Sequence, residues 1–411
     1  LACVLQMVGD RLDPALVQRV GQEVERRVLD PIRREDVEHP TKHHGWIRNA
    51  YNWNAVCWNN VVCAALYFSA DRQDRAHFVA GALASAKIFL SGFPADGYCH
   101  EGMGYWNYGY GYHLMMARLL EEVSSGRIVA VGDPKERIIA SYGRRGAFDL
   151  KQAPAFADGI AGPGQRILAL VDHFWPEMPR AFAPSTVFEE AQVWLLRNPD
   201  GLSVAFKGGS NGVPHGHCDL GSYDLRWRGE AVAGDPGGEV YTARTFSAKR
   251  YESKVLNSYG HPVPVVGGQL QGVGEKYRAK VVSSTINDSG VSEVVLDLTG
   301  AYEVDSLVSL TRTFLYDRPR GVFSVVDRVC FSKPTAFEDA YTVLPPANLR
   351  PKVSVEGATY EVREERIDNP GRISPLRVGI RLDSPVTTAT VRFDYSCPQL
   401  GWRLRFWRRW C

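Results

Sequence analysis

Along residues 1–125 the apolar positions recur every three to four residues and do not alternate. Val17, Val20, Val24 and Val28 keep that spacing, with Leu16 alongside and Pro31 following. This is the period of an amphipathic helix that ends near a proline. Residues 55–68 and 75–91 form two further apolar stretches joined by the polar turn SADRQD, and a fourth helix is predicted over 104–122. Successive helices with short links fit a helical bundle or an α/α toroid. Residues 126–190 mix Gly, Pro and short apolar pieces such as Ile167, Leu168 and Leu170, and read as a linker with some helix. From 191 to 411 the pattern changes to short runs bounded by Gly, Asn or Asp, among them VWLLRN, LSVAFKG, SEVVLDLTG, LRVGIRL and TATVRFDY. The segment 308–329 reads as a hairpin with DRPRG as its turn. So many short strands predict a large antiparallel β-sandwich. The chain is therefore read as an α+β multidomain protein, with a ligand cleft expected between its helical and sandwich parts.

Charge and composition narrow the partners. The 411 residues carry 48 Lys and Arg against 46 Asp and Glu, a net charge of +2. That balance argues against a nucleic-acid partner. No apolar run reaches the ~20 residues of a membrane helix, so no membrane span is expected. Ten Trp, 18 Tyr and 17 Phe are enough flat apolar surface to line a sugar site as well as a core. The eight cysteines form no CxxC pair and read as small buried hydrophobes, which excludes zinc knuckles. The opening LACVLQMVGDRLDP has no basic leader or cleavage pattern and starts as if inside a helix. The chain is accordingly expected to begin part-way through a longer protein.

Three clusters could carry chemistry. The first is YNWNAVCWNN, Tyr51–Asn60, where Asn52 is read as a helix N-cap or, with Trp53 and Asn54, as a substrate contact. The second is DGYCHEGMGYWNYGYGYH, Asp96–His113. On an α-helix Tyr105, Tyr108 and Tyr112 share one face and Tyr110 points elsewhere. Gly104, Gly109 and Gly111 weaken that helix by about 1 kcal/mol each relative to Ala, which suggests close approach of backbone or ligand. The third is GVPHGHCDLGSYDL, Gly212–Leu225, with Asp235 and His261 downstream. His215 and His217 would face one side of an extended segment, so a twist in the loop is needed for one to bind metal and the other to face a substrate. His217, Asp235 and His261 make a conceivable His₂Asp zinc site with water as fourth ligand. His215-x-His217-x-Asp219 also matches the start of a metallo-β-lactamase HxHxDH motif, but Leu220 stands where its last His belongs.

Jointly the clusters resemble the heparinase II/III-like family of polysaccharide lyases. The matching stretches are NWNAVC at 52–57, DGYCHEGMGYWNYGYGY at 96–112, KGGSNGVPHGHCDLGSY at 207–223 and RYESKVLNSYGHPVPVVGG at 250–268. The resemblance implies an α/α toroid, here partial, followed by an antiparallel β-sandwich, and cleavage of uronic-acid-containing polysaccharides by β-elimination. It makes His215 the catalytic histidine, Tyr105 the catalytic tyrosine with Tyr108 and Tyr112 as alternatives, and Tyr241 a second tyrosine, ahead of Tyr251. It makes His217, Asp235 and His261 ligands of a structural zinc. Asn52 and Asn54 fall where it places carboxylate-neutralising residues, and Trp53, Glu101, Tyr108 and Tyr112 are expected as further substrate contacts. Pro214 replaces the Asn that precedes the first His in many relatives, and Asn211 is expected to take over its contact. Gly109 occupies the position one helical turn after Tyr105 where Arg would suit a heavily sulfated polymer, which points away from heparin. The expected partner is an acidic polysaccharide or oligosaccharide met outside the cytoplasm, in periplasm or medium, and a homodimer stays open. The alternatives are a carbohydrate-binding protein without catalysis, and a zinc hydrolase using His215, His217 and Asp219.

Overall fold

Asp13 accepts a hydrogen bond from the Ala15 amide at 2.9 Å, and Pro14 takes the first helical position, so the helix Pro14–Val24 starts there. It runs on through a π turn, Glu25–Leu29, into Asp30–Arg33. Helical chain thus continues past Pro31, where the sequence predicted a stop. Pro31 lies in the first turn of the segment after the wider π turn, where a missing amide hydrogen costs little. Leu16 does not join the valines in the core and is exposed. The helices Asn52–Phe68 and Arg72–Ser91 begin a little ahead of the apolar stretches that predicted them. Asp71 caps the second through the Gln73 amide. Asn52 is not an N-cap: extended Tyr51 holds that position, and Asn52 is the first helical residue. The predicted fourth helix is three pieces, Met103–Tyr105, a π turn Trp106–Tyr110, and Gly111–Val123.

The structure is a computed structural model and describes residues 1–159 and 161–396. The expected sandwich segment 397–411, with Cys397 and Cys411, lies outside the described residues. The chain divides into two units. One comprises Leu1–Cys99, Met103–Gly143 and Pro163–Pro179. Its core gathers Val24, Leu29, Ile32, Trp58, Val62, Phe78, Met116 and Leu120 from the helices above. The other comprises His100–Gly102, Arg144–Gly162 and the described chain from Arg180 onward. The stretch 126–190, read as a linker, contains the helices Pro134–Arg145 and Gln165–Phe174 and the first strand, Ser185–Phe188.

The second unit is built on antiparallel sheets. Among the described residues one sheet has nine strands and another six. The predicted hairpin is present as Leu307–Asp317 and Val322–Thr335, with Asp317 opposite Val322 across the DRPRG turn. Side chains alternate in and out along these strands, and the inward ones from both sheets form one core. Phe206 of strand Leu202–Lys207 stacks on Phe314 of the hairpin at 4.4 Å between ring centroids. Burial of each such ring stabilises the fold by roughly 1.5–3 kcal/mol. A charged group sits in this core as well. Arg312 pairs with Asp327 and Asp339, and its Nη1 donates to the carbonyls of Gly221 and Pro262, both at 2.7 Å.

No helix among the described residues is long and apolar enough to cross a membrane. The reading of the cysteines as buried needs correction: Cys99 and Cys218 are buried, Cys57, Cys63 and Cys330 are half-buried, and Cys3 is exposed.

Candidate functional site

The HGH segment lies in the connection between Ser210–Asn211 and the strand Tyr223–Trp227. Its backbone is tied down at several points. The Cys218 amide donates to the Leu256 carbonyl, and Gln271 brackets Leu220 through both its amide and its carbonyl. His215 has φ of +54°, a left-handed conformation uncommon for a residue with a side chain. That kink is the twist that an extended reading lacked. It lets His215 and His217 reach opposite oxygens of one carboxylate.

The carboxylate is Asp158. Its Oδ2 lies 3.0 Å from His215 Nδ1, and its Oδ1 lies 3.0 Å from His217 Nε2. Arg250 Nη2 and the Tyr241 hydroxyl donate to Oδ2 at 2.9 and 3.1 Å. Burial pushes this carboxyl upward, but hydrogen bonds from the two imidazoles and the Arg250 charge outweigh it and hold Asp158 ionised far below the usual range. Tyr241 Oη is also 3.2 Å from His215 Nδ1, and Glu101 Oε2 is 3.5 Å from His215 Nε2. His215, Tyr241 and Glu101 are thus brought together, with His215 only partly buried. A polar, half-open imidazole beside a phenol and two carboxylates is equipped to move a proton.

His217, Asp235 and His261 meet behind it. Their ligand atoms lie within 4.8 Å of one another, and all three residues are buried. Asp235 sits at the end of strand Glu230–Gly234, where Gly234 has φ of +103° and an added Cβ would stand 2.2 Å from the Tyr223 carbonyl oxygen. His261 follows the 3₁₀ turn Ser258–Gly260. Asp235 accepts from Ser222 Oγ at 2.6 Å and the Gly237 amide at 2.9 Å, and lies 3.0 Å from His261 Nδ1. Burial raises the Asp235 carboxyl, but the His261 charge and hydrogen bond overcome this and leave it below its ordinary value. Two buried nitrogens, His217 Nδ1 and His261 Nε2, find no protein hydrogen bond. Unsatisfied imidazole nitrogens beside a carboxylate are the donor set of a zinc site, so these residues fit a metal ion. Asp219 is not in this group; Lys207 Nζ donates to its Oδ1 at 2.6 Å.

The remaining expected residues are placed as follows. Asn211 is buried, and its amide bonds the Gly272 carbonyl and Gln271 while its oxygen accepts from the Asp219 amide. It braces the loop, and those bonds occupy the groups that a substrate carboxylate would need. Asn54 is similarly committed, to the Ile47 carbonyl and Ser85 Oγ. Tyr251 donates to the Gly216 carbonyl at 3.1 Å. In the helical unit Trp53 is 63% exposed and lines one groove with Trp46, Asn60 and Tyr112. Tyr108 is exposed and meets Tyr112 edge to face, whereas Tyr105 is half-buried. Asn52 is buried against Gly109, where a Cβ would stand 2.8 Å from Asn52 Cβ. Sequence reasoning missed Asp158, and it gave Arg250 no role although Arg250 opens one of the quoted stretches.

No protein-family model matches the chain, and no curated protein sequence matches it. Solved structures do. A crystal structure of heparinase III aligns with a TM-score of 0.64 at 14% identity, covering 87% of this chain and 62% of that one. A second heparinase III, the BT4657 gene product, gives 0.62 at 13% identity, covering 84% and 58%. A heparan sulfate lyase HepC mutant from Pedobacter heparinus gives 0.60 at 12%, covering 85% and 60%. The chain therefore shares their fold and spans about three fifths of their length.

Proposed function

We propose that the chain acts as a polysaccharide lyase, cleaving a uronic-acid-containing polysaccharide outside the cytoplasm by β-elimination. The observation that carries this reading is His215, oriented by Asp158 and in reach of Tyr241 and Glu101, on a fold like that of the heparinases. In the reaction a base removes the C5 proton. The freed electron pair forms the C4–C5 double bond, the C4–O4 bond breaks, and an acid protonates O4. His215 and Tyr105 divide the two proton transfers, and Tyr241 is the second tyrosine. Hydrogen bonds that neutralise the uronate carboxylate stabilise the charge developing at C5. The proposed contacts in the first cluster are Asn52 and the exposed face of Trp53. The helices are read as part of an α/α toroid. His217, Asp235 and His261 would hold a zinc ion that would supply structural cross-linking and no electrophile.

The test is ultraviolet absorbance of the unsaturated uronate, measured with alginate, chondroitin, hyaluronan, heparin and heparan sulfate. A rise with one polymer that is lost in His215→Ala supports the proposal. Sugar binding with no new absorbance for any polymer overturns it in favour of a binding role.

A further inference from the structure

We infer that Asp158 is a positioning residue that sets the tautomers of both histidines in the HGH segment, so that one carboxylate couples the proton-transfer imidazole to the metal site. The His215 half of this inference rests on the lyase reading; the His217 half does not. A neutral imidazole offers one donor and one acceptor nitrogen. Asp158 accepts through Oδ2 from His215 Nδ1 and through Oδ1 from His217 Nε2, both at 3.0 Å. The two rings are thereby held in opposite tautomers. His215 carries its proton on Nδ1 and presents Nε2 on the Glu101 side. His217 carries its proton on Nε2, leaving Nδ1, which has no protein hydrogen bond, as the lone pair available to a metal. Orientation of a metal-bound histidine through its other nitrogen is a recurrent source of affinity.

The surroundings are built to keep that carboxylate in place. Its side chain is 1% exposed. Arg250 Nη2 reaches Oδ2 and also the carbonyls of His215 and Gly216, so it fixes acid and loop together. Ala157, just before it, has φ of +65°, a strained turn that presents Asp158 to the loop. Gly238 leaves room on the other side, since a Cβ there would stand 3.2 Å from Asp158 Oδ1 and 3.6 Å from His217 Nε2.

The experiment is long-range ¹H–¹⁵N NMR on histidine-labelled protein, combined with zinc competition against a chromophoric chelator and steady-state kinetics. In the native protein His215 is expected as the Nδ1–H tautomer and His217 as Nε2–H. Asp158→Asn has a single accepting oxygen, so one ring must change tautomer. Zinc affinity is expected to fall about 10–100-fold, and kcat to fall with KM changed by less than a few-fold. Tyr241→Phe, which touches only the Oδ2 side, is expected to leave zinc affinity unchanged. The inference is overturned if the native tautomers are the reverse, a result that does not depend on whether the variant folds, or if Asp158→Asn retains both tautomers and full zinc affinity. A native protein with these tautomers and this zinc dependence but no unsaturated product sinks the lyase reading alone.

Discussion

Asp158, Tyr241, Glu101 and Arg250 converge on His215, and the imidazole and the phenol each have a measurable share. Removing the imidazole by His215→Ala is expected to lower turnover by about 10²–10⁴-fold, the usual worth of a positioned acid or base. Tyr241→Phe keeps the ring that packs edge to face on Phe246 but removes the hydroxyl that bonds Asp158. Turnover is expected to drop by about 10²-fold with unchanged melting temperature; a loss of stability instead would mark the hydroxyl as merely structural. At this scale the sequence was readable where chemistry sits in a motif. His215, His217, Asp235 and His261 stand in stretches whose order carries meaning. Asp158 does not. It is a lone acid in AFADG, 57 positions before His215, and nothing in local spacing distinguishes it from a turn aspartate. Only long-range folding gives it four partners.

Elements behave differently, because their periods are visible but their insertions are not. An α-helical wheel placed Tyr105, Tyr108 and Tyr112 on one face. The π turn at Trp106–Tyr110 adds a residue to that turn, so Tyr105 is half-buried while Tyr108 is exposed. Tyr110 fills the core and donates to the Glu136 carbonyl at 2.9 Å. Burial raises its phenol well above the ordinary value, which leaves it a packing residue. The glycine signal was legible and now has a cause: Gly109 and Gly111 let Asn52 and Ile167 approach to within 3 Å of where a Cβ would be. Gly109→Ala gains about 1 kcal/mol of helix propensity and loses about 1–3 by overpacking, so a net lower melting temperature is expected by calorimetry. The connection before Asn52 carries an acid-sensitive brace. Glu35 accepts from the Thr41 amide and hydroxyl, both at 2.7 Å, and from His44; chiefly the two Thr41 bonds hold its carboxyl at about 2 against an ordinary 4.5. A depressed folded value means that its stabilisation is present above pH 4.5 and is lost as pH falls towards 2. Glu35→Gln is expected to flatten acid unfolding in that window, read by tryptophan fluorescence.

For the whole molecule the alternation of strands made the sheet-rich half evident in advance, and the hairpin even gave its turn. The interleaving of the two units was not evident, because short segments such as His100–Gly102 carry no pattern of their own. Arg312 was equally hidden, as one charge in an alternating strand. It ties the sandwich core to the loops next to Asp219 and His261, through Gly221 and Pro262. Arg312→Met strands Asp327 and Asp339 together in the core, and removing one side of a buried ion group typically costs about 3–5 kcal/mol. Urea midpoint and zinc retention are expected to fall together; a fall in the midpoint alone would confine Arg312 to the core. Chelation of zinc is expected to lower the melting temperature of the native protein.

The strand order of the larger sheet has a kinetic consequence. Strands from Ser185 to Gly234 pair mostly with their neighbours in sequence, but Glu230–Gly234 finds its other edge only at Phe337–Val343, with Val343 opposite Ala233. Closure of that long loop is entropically slow compared with hairpin zipping. The ribosome must release about a hundred further residues before Ala233 acquires that second edge. The strand Glu230–Gly234 is therefore completed late, whereas Asp235 bonds Ser222, Gly237 and His261, all close in sequence, so metal added early in refolding would meet its ligands before that edge is sealed.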